Sequence, residues 1–190
     1  AIILADVVDH HHHDPVPHSP RAVLKAQLAR VDKLGFTANF ASELEFYLFN
    51  DTFRAAWDKG YRNLETAGYY IQDYHVFQTT KEEPVLRAMR NQLQASGIPV
   101  ENSKGEWGLG QHEVNVRYAD ILEMADRHVV FKQCLKELAD RMGLSVTFMA
   151  KPYADRAGSS CHVHVSMWRG EDTAFAGDGG ELHWFVGGVL

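Results

Sequence analysis

Cysteine is scarce in this sequence, which contains only two in 190 residues. Cys134 and Cys161 form no C-x-x-C pair, so neither a disulfide framework nor a cysteine-rich zinc site is indicated. Cys134 lies in a predicted helix and Cys161 on the apolar side of a predicted strand, so both are predicted to be small, buried hydrophobic residues. Nothing in this cysteine usage requires an oxidising compartment, and we expect a cytoplasmic protein.

Long hydrophobic runs and clusters of basic residues are also missing. The apolar run at residues 1–5 has no basic flank and ends at Asp6, so it is too short for a signal-peptide core or a membrane span. The formal net charge is −6, with no basic stripe or tail. These absences argue against a nucleic-acid partner and against a membrane partner.

What the sequence does contain is a composition ordinary for a globular protein, with 45% hydrophobic and 23% charged residues. The hydrophobic spacing predicts helices at about 19–35, 51–59, 80–96 and 120–142, and a further helix that begins near 182. It predicts strands at 2–8, 42–49, 111–118, 145–150 and 161–168, and a loop at 61–74. This mixture indicates an α+β fold, with a curved, mainly antiparallel sheet and helices on its convex face.

A run of four histidines occupies residues 10–13 and is followed by Pro15, Pro17 and Pro20. Such a run invites a metal-binding interpretation, but the prolines favour an extended, solvated linker. We predict that residues 1–18 form a strand and a His/Pro-rich segment that leads into one larger domain at 19–190.

Three predicted strands carry metal-ligand side chains on one face. Side chains alternate across a strand, so Glu43 and Glu45 share a face, as do His162 and His164. Glu113 shares its face with other polar residues on the strand at 111–118. Burying such a row of polar groups is costly unless the row meets water, a metal ion or a ligand. If the polar faces of one sheet align, these carboxylates and imidazoles converge.

The dominance of carboxylates indicates which ion would bind. Glu106 lies in a glycine-interrupted loop seven residues before Glu113 and adds a further acid. Oxygen ligands suit Mg²⁺ or Mn²⁺, and several carboxylates are better shared by two ions than crowded around one. Paired divalent cations are typical of phosphoryl transfer. Glu-x-Glu or His-x-His alone would more often be a solvent-facing pair, but together the motifs favour a functional site.

These motifs resemble the catalytic domain of the glutamine synthetase family. Residues 42–49 resemble its Glu-x-Glu-Phe strand, and residues 101–113, with Gly-Gln before the last glutamate, resemble its paired metal-glutamate segment. Residues 151–164 resemble its Lys-Pro…Gly-Ser-x-x-His-x-His signature, and residues 16–21 resemble the proline-arginine start of the domain. The resemblance covers nearly the whole chain.

The resemblance implies a role for each candidate site residue. Glu45, Glu106 and Glu113 would hold one divalent ion, Mg²⁺ or Mn²⁺, and Glu43 with His162 would hold a second. The residues implied around the nucleotide are Glu101, Tyr118, His164 and Ser166. Gly158 would lie beside the substrate glutamate, and Tyr69 or Tyr70 would border the path of the amine.

The activity implied is that of an ATP-dependent carbon–nitrogen ligase. It would join the γ-carboxylate of glutamate to ammonia or an amine through a γ-glutamyl phosphate, within a homo-oligomeric ring. Two departures from the family pattern favour amines other than ammonia. Ala157 stands where the family commonly has asparagine, and residues 104–108 differ from the usual glutamine-forming version.

Two family segments are not found in this sequence, namely the small N-terminal domain and the later arginine-bearing segment. We therefore expect the chain to be truncated at both ends, to bind metal, and to be inactive by itself. One alternative is a non-catalytic metal- or nucleotide-binding member of the same family. A metal-dependent hydrolase is a weaker alternative, because its ligand set would be richer in histidine.

Overall fold

The computed structural model describes residues 2–177 and 179–190 and divides the chain into two compact units. The smaller unit comprises Ala1–Ala41, Tyr118–Asp126 and His164–Leu190. The larger unit comprises Ser42–Arg117 and Arg127–Val163. None of the helices in the described part of the chain has the length and apolar character needed to cross a membrane.

Helices and strands are mixed along the chain. The helices are α1 Pro20–Lys33, α2 Phe53–Asp58, α3 Val76–Thr80, α4 Glu83–Ala95, α5 Ile121–Arg141 and α6 Glu181–Val189. The strands are β1 Thr37–Phe49, β2 Val100–Gly105, β3 Gln111–Val116, β4 Ala119–Asp120, β5 Ser145–Thr147, β6 Cys161–Arg169 and β7 Asp172–Thr173. The strand pairs with a described register are antiparallel, so the predicted α+β fold class is confirmed.

In the larger unit, β1 is flanked by β3 and pairs also with β5, while β2 pairs with the other edge of β3. Helix α4 contacts β2 and buries one side, as its i, i+3, i+7 spacing predicts. The fully buried apolar side chains of this unit include Phe46, Leu48, Leu86, Met89, Leu93 and Leu135. Because this core lies under β1 and β3, it fixes the strands from which the polar site is built.

In the smaller unit, α1 begins as the sequence predicts. The Ser19 side chain caps the first turn, and Pro20 occupies the first helical position. Arg21 then pairs with Asp126 at 2.9 Å and with Asp6 at 2.7 Å. Strand β4 pairs with the first part of β1, and β7 pairs with the end of β6.

Several details differ from the sequence-based predictions. Residues 2–8 form no strand, because their main chain makes only an isolated bridge between Val8 and Pro15. Cys161 is exposed rather than buried, since the apolar alternation of β6 is not covered over 161–164 by described residues. Strand β2 was not predicted. The helix predicted at 80–96 is found as α4, which begins at Glu83, and it is preceded by a short helix, α3, that was not predicted.

The four histidines form an exposed turn that is organised by Asp9. Its carboxylate accepts hydrogen bonds from the backbone N–H groups of His11, His12 and Asp14 at 2.8–2.9 Å. Among the described residues, this turn does not gather three potential ligand atoms around one point. Metal binding there has no support from the geometry, and the linker interpretation stays a prediction.

Candidate metal centre

The register of β1 against β3 brings acidic residues together on one face. Glu45 lies opposite Glu113, and Glu43 lies opposite Asn115. Because residues two apart share a face of a strand, the three carboxylates point to the same side of the sheet. Glu106 joins them from the β2–β3 loop, where its backbone N–H donates to the carbonyl of Gln111 at 2.9 Å.

Five of the predicted ligands form two overlapping groups in the larger unit. Oxygen atoms of Glu45, Glu106 and Glu113 all lie within 4.8 Å of one another. Ligand atoms of Glu43, Glu113 and His162 do the same, and His162 Nδ1 lies 3.4 Å from Glu43 Oε2. Glu113 is the residue that belongs to both groups, so it is placed to bridge two ions.

Glu45 is only 8% exposed and is held by donors from a different segment of the chain. The backbone N–H of Ser160 donates to Glu45 Oε2 at 3.1 Å, and the Ser160 hydroxyl makes a short hydrogen bond to Oε1. Gln111 Nε2 donates to Oε2 at 2.9 Å. These donors fix the direction of the Glu45 carboxylate, as outer partners commonly do for metal ligands.

Gln111 is buried and connects three parts of the site. Besides Glu45, its amide nitrogen donates to the carbonyl of Gly158 at 2.9 Å. Its amide oxygen accepts from the backbone N–H of Gly108 at 2.9 Å, within the loop that carries Glu106. One side chain therefore orients strand, loop and the segment before β6 relative to one another.

Two glycines are required by close contacts. A Cβ on Gly108 would lie 2.1 Å from Tyr47 Oη, whose hydroxyl is fixed because it donates to the carbonyl of Ala157 at 2.7 Å. A Cβ on Gly158 would lie 2.8 Å from the carbonyl oxygen of Ala150. Both contacts are too short for any other residue without displacement of the site.

The electrostatics of the cluster favour a cation. Burial and the neighbouring carboxylates of Glu113 and Glu45 raise the pKa of Glu106 to about 7. Lys104 Nζ lies 2.5 Å from Glu113 Oε1, and this ion pair raises the lysine pKa although burial opposes the rise. That buried Glu113 oxygen accepts no well-directed hydrogen bond from a described group. An oxygen-rich set of this kind fits a divalent ion.

Comparison with known proteins agrees with these features. Residues 17–190 match the family described as "Glutamine synthetase, catalytic domain". The chain belongs to the glutamine synthetase family. It is 43% identical over 168 residues to a γ-glutamylethanolamide synthetase of Streptomyces coelicolor, covering 88% of this chain and 36% of that enzyme.

Other members of the glutamine synthetase family show the same partial coverage. A glutamate–isopropylamine ligase of a Pseudomonas species is 33% identical over 167 residues, which is 88% of this chain and 36% of the ligase. The ligand-free structure of GmaS superposes with a TM-score of 0.77 at 31% identity, over 90% of this chain and 39% of that one. The chain thus spans a little over a third of the length of the curated relatives named here.

The remaining predicted residues lie on several elements. Glu101 is exposed on β2, whereas Tyr118, His164 and Ser166 belong to the smaller unit. Their nucleotide-binding role stays a prediction. Tyr69 and Tyr70 are exposed in the loop before α3, and Lys81 Nζ lies 2.5 Å from Tyr69 Oη. Their place beside the amine also stays a prediction.

Two contributors to the site were missed by the sequence interpretation. Ser160 lies within the motif at residues 151–164, and nothing in its spacing indicates that it donates hydrogen bonds to Glu45. Lys104 lies directly opposite Glu113 because β2 pairs with β3. If residues 100–105 had been recognised as a strand, this cross-strand pair would have been a signal for it.

Proposed function

We propose that the whole protein is an ATP-dependent ligase that joins the γ-carboxylate of glutamate to ammonia or an amine. The observation that carries the proposal is the pair of ligand groups that share Glu113. The two groups supply carboxylate and imidazole ligands of the kind that hold paired divalent ions in phosphoryl transfer. In a vestigial, non-catalytic relative we would expect some of these five side chains to have been lost.

The protein's own contribution in this proposal is to hold and orient charge. Glu45, Glu106 and Glu113 hold one divalent ion, and Glu43, Glu113 and His162 hold the other. Mg²⁺ or Mn²⁺ bound there would neutralise phosphate oxygens and align donor and acceptor. The Gln111 amide and the Ser160 donors keep the Glu45 carboxylate in place. Preorganisation of this kind lowers the barrier because little rearrangement is left for the reaction.

The proposed reaction has two steps. An oxygen of the glutamate γ-carboxylate attacks the γ-phosphorus of ATP, ADP leaves, and γ-glutamyl phosphate forms. The nitrogen lone pair of the amine then attacks the acyl carbon, phosphate leaves with the former carboxylate oxygen, and the nitrogen loses a proton. We place the glutamate substrate beside Gly158, where the lack of a Cβ permits close approach. The proposed nucleotide contacts are Glu101, Tyr118, His164 and Ser166.

The acceptor is proposed to be a primary amine larger than ammonia. One relative is named for a γ-glutamylethanolamide product and another for isopropylamine as the amine that it joins to glutamate. At the position where the family commonly has asparagine, Ala157 offers only its backbone carbonyl, which Tyr47 already uses. Tyr69 or Tyr70 is proposed to border the amine. We further propose a homo-oligomeric ring and a cytoplasmic location for the whole protein.

The test measures phosphate release by the full-length protein with ATP and Mg²⁺. Glutamate and an amine are supplied separately and together, and the amine is ammonia, ethanolamine or isopropylamine. We expect release only when both are present, with the γ-glutamyl amide detected by mass spectrometry. We expect no turnover by the 190-residue chain alone.

Two other outcomes would each contradict the proposal. Phosphate release that needs neither glutamate nor amine would indicate a hydrolase. Retained Mn²⁺ binding without turnover on any amine would indicate a non-catalytic member of the family. Glu113→Gln serves as the control, because it should strongly weaken metal binding and abolish amine-dependent release.

A further inference from the structure

Lys104 is a cation already in contact with the centre of the ligand set. It lies directly opposite Glu113 across β2 and β3, and its Nζ is 2.5 Å from Glu113 Oε1. The Glu113 side chain is only 3% exposed, so its carboxylate is nearly buried. The Lys104 ammonium group is the nearest described positive charge to it. Glu113 is also the residue shared by both candidate metal groups.

An ammonium group and a divalent ion compete for the same place. Magnesium binds carboxylate oxygens at about 2.0–2.1 Å. Two cations placed on one buried oxygen would lie a few ångströms apart, where like charges repel strongly in a medium of low polarity. An ion that uses Glu113 Oε1 therefore requires Lys104 Nζ to move away.

The surroundings of Lys104 allow that movement. A cavity of about 440 Å³ is lined by Lys104 together with Tyr74, Thr79 and Arg90. The lysine side chain is 25% exposed, and its stem of four carbons is flexible. The ring of Tyr74 lies 6.0 Å from Nζ, so an aromatic face is available to the displaced ammonium group.

We propose that Lys104 is a tethered cation that occupies Glu113 in the metal-free protein and withdraws when a divalent ion binds. It is a positioning residue that sets the concentration of divalent ion at which the centre fills. This inference rests on the proposed metal centre, and it adds a built-in competitor for that centre.

The size of the effect follows from the population of the blocked state. When only a fraction of molecules can bind, the apparent dissociation constant rises by the inverse of that fraction. If Lys104 occupies Glu113 in about nine of ten metal-free molecules, its removal should tighten binding about tenfold. The metal-free protein should lose stability at the same time, because three crowded carboxylates lose their counter-charge.

The experiment titrates Mn²⁺ into the full-length protein at fixed pH and reads free Mn²⁺ by electron paramagnetic resonance. Lys104→Met removes the charge and keeps much of the stem, whereas Lys104→Arg keeps the charge. We expect about tenfold tighter Mn²⁺ binding and a lower midpoint of thermal unfolding without metal for Lys104→Met. Lys104→Arg should restore both values toward wild type.

Lys59→Met is the matched control. Lys59 Nζ also lies 2.5 Å from a mostly buried carboxylate, that of Asp51, but this pair is not in the ligand set. The variant changes net charge equally and should leave Mn²⁺ affinity unchanged.

Each remaining outcome is informative. Unchanged or weaker binding by Lys104→Met overturns the inference while leaving the metal centre intact. If Lys59→Met also bound Mn²⁺ more tightly, the effect would be explained by the change in net charge alone, and the inference about Lys104 would be overturned. If neither wild type nor Lys104→Met binds Mn²⁺, the proposed metal centre itself fails.

Discussion

The two faces of β3 are equally buried and chemically opposite. All six residues of the strand are buried, yet Gln111, Glu113 and Asn115 face the polar cluster while Val114 and Val116 face the core. The apolar face stabilises the fold by about 25 cal/mol for each Å² removed from water. The polar face brings like charges together and stabilises the fold only when a counter-charge is present. The polar site therefore lies on a strand that is held in position by the packing of its opposite, apolar face.

The polar face departs from what stability alone would select. Three carboxylates lie within 4.8 Å of one another, and Asn115 Oδ1 has no described hydrogen-bond partner. Crowding of this kind persists where function requires it and the surrounding structure enforces it. Helix α4 and the core beneath β1 and β3 supply that enforcement in the larger unit.

The largest difference between the two faces should be seen by substituting one residue on each face and measuring both Mn²⁺ binding and stability. Glu113→Gln keeps the shape of the side chain but removes the charge shared by both ligand groups. We expect Mn²⁺ binding to weaken by about 100-fold or more, measured by titration of the full-length protein. The midpoint of metal-free thermal unfolding should fall, because loss of the Lys104–Glu113 ion pair leaves a part-buried ammonium group without its carboxylate partner.

Val114→Ala is the control from the other face, one residue along the strand. Val114 is 1% exposed, so its truncation should cost about 2 kcal/mol of unfolding free energy. Mn²⁺ affinity per folded molecule should stay close to wild type. If Val114→Ala lost as much Mn²⁺ affinity as Glu113→Gln, the two faces of β3 would not have separate roles in stability and metal binding.

Alternation in the sequence was enough to predict these faces. Glu43, Glu45 and Glu113 were assigned to polar faces from the period of two residues, and β1 and β3 do pair with these faces aligned. The same alternation added His162, and the spacing of Glu106 from Glu113 added a fourth acid, while the family resemblance supplied the assignment of each residue to one ion. The long apolar stripes of α4 and α5 were also predictable, because helical periodicity over three or more turns is a strong signal.

What could not be predicted depends on pairing between segments distant in sequence. The polar sequence of β2 is typical of a loop, and the segment forms a strand because it pairs with the edge of β3. The Lys104–Glu113 contact depends on that pairing and could therefore not be predicted from the sequence. Ser160 holds Glu45 from 115 positions away. Cys161 was misjudged because alternation shows which side chains share a face, not whether that face is covered.

Lowering the pH should weaken Mn²⁺ binding on the polar face of β3 before it lowers the stability contributed by the core. The pKa of Glu106 is raised to about 7 by burial and by Glu113 and Glu45, so below that pH a bound proton must be displaced by the metal ion. We expect Mn²⁺ affinity to fall by up to about tenfold for each pH unit below 7. Titrations at pH 8, 7 and 6 would measure this.

Metal-free stability should respond to Glu106 in the opposite sense. Between its ordinary pKa of 4.5 and about 7, the folded state binds more protons than the unfolded state, so the Glu106 contribution to unfolding free energy falls as pH rises. Glu106→Gln should remove both dependences. A Mn²⁺ affinity that does not change from pH 8 to pH 6 would contradict this assignment.

The smallest expected effect concerns His112, the polar residue on the core face. It is fully buried against Phe46, and neither ring nitrogen has a described hydrogen-bond partner. Burial lowers its pKa to about 4, so the unfolded state binds more protons between about 4 and 6.5 and the His112 contribution to stability is lost as pH falls through that window. This is the reverse of the Glu106 contribution on the other face.

His112→Leu should therefore change the unfolding free energy at pH 7 by less than about 1 kcal/mol, because an unpartnered polar ring is exchanged for an apolar side chain of similar size. At pH 5 the variant should be more stable than wild type by a larger margin, since it has no proton to take up on unfolding. Thermal unfolding at both pH values, without metal, would measure the difference. A loss of several kcal/mol at pH 7 would mean that the imidazole is a paired, structural group and that the two faces of β3 are less distinct than their residues indicate.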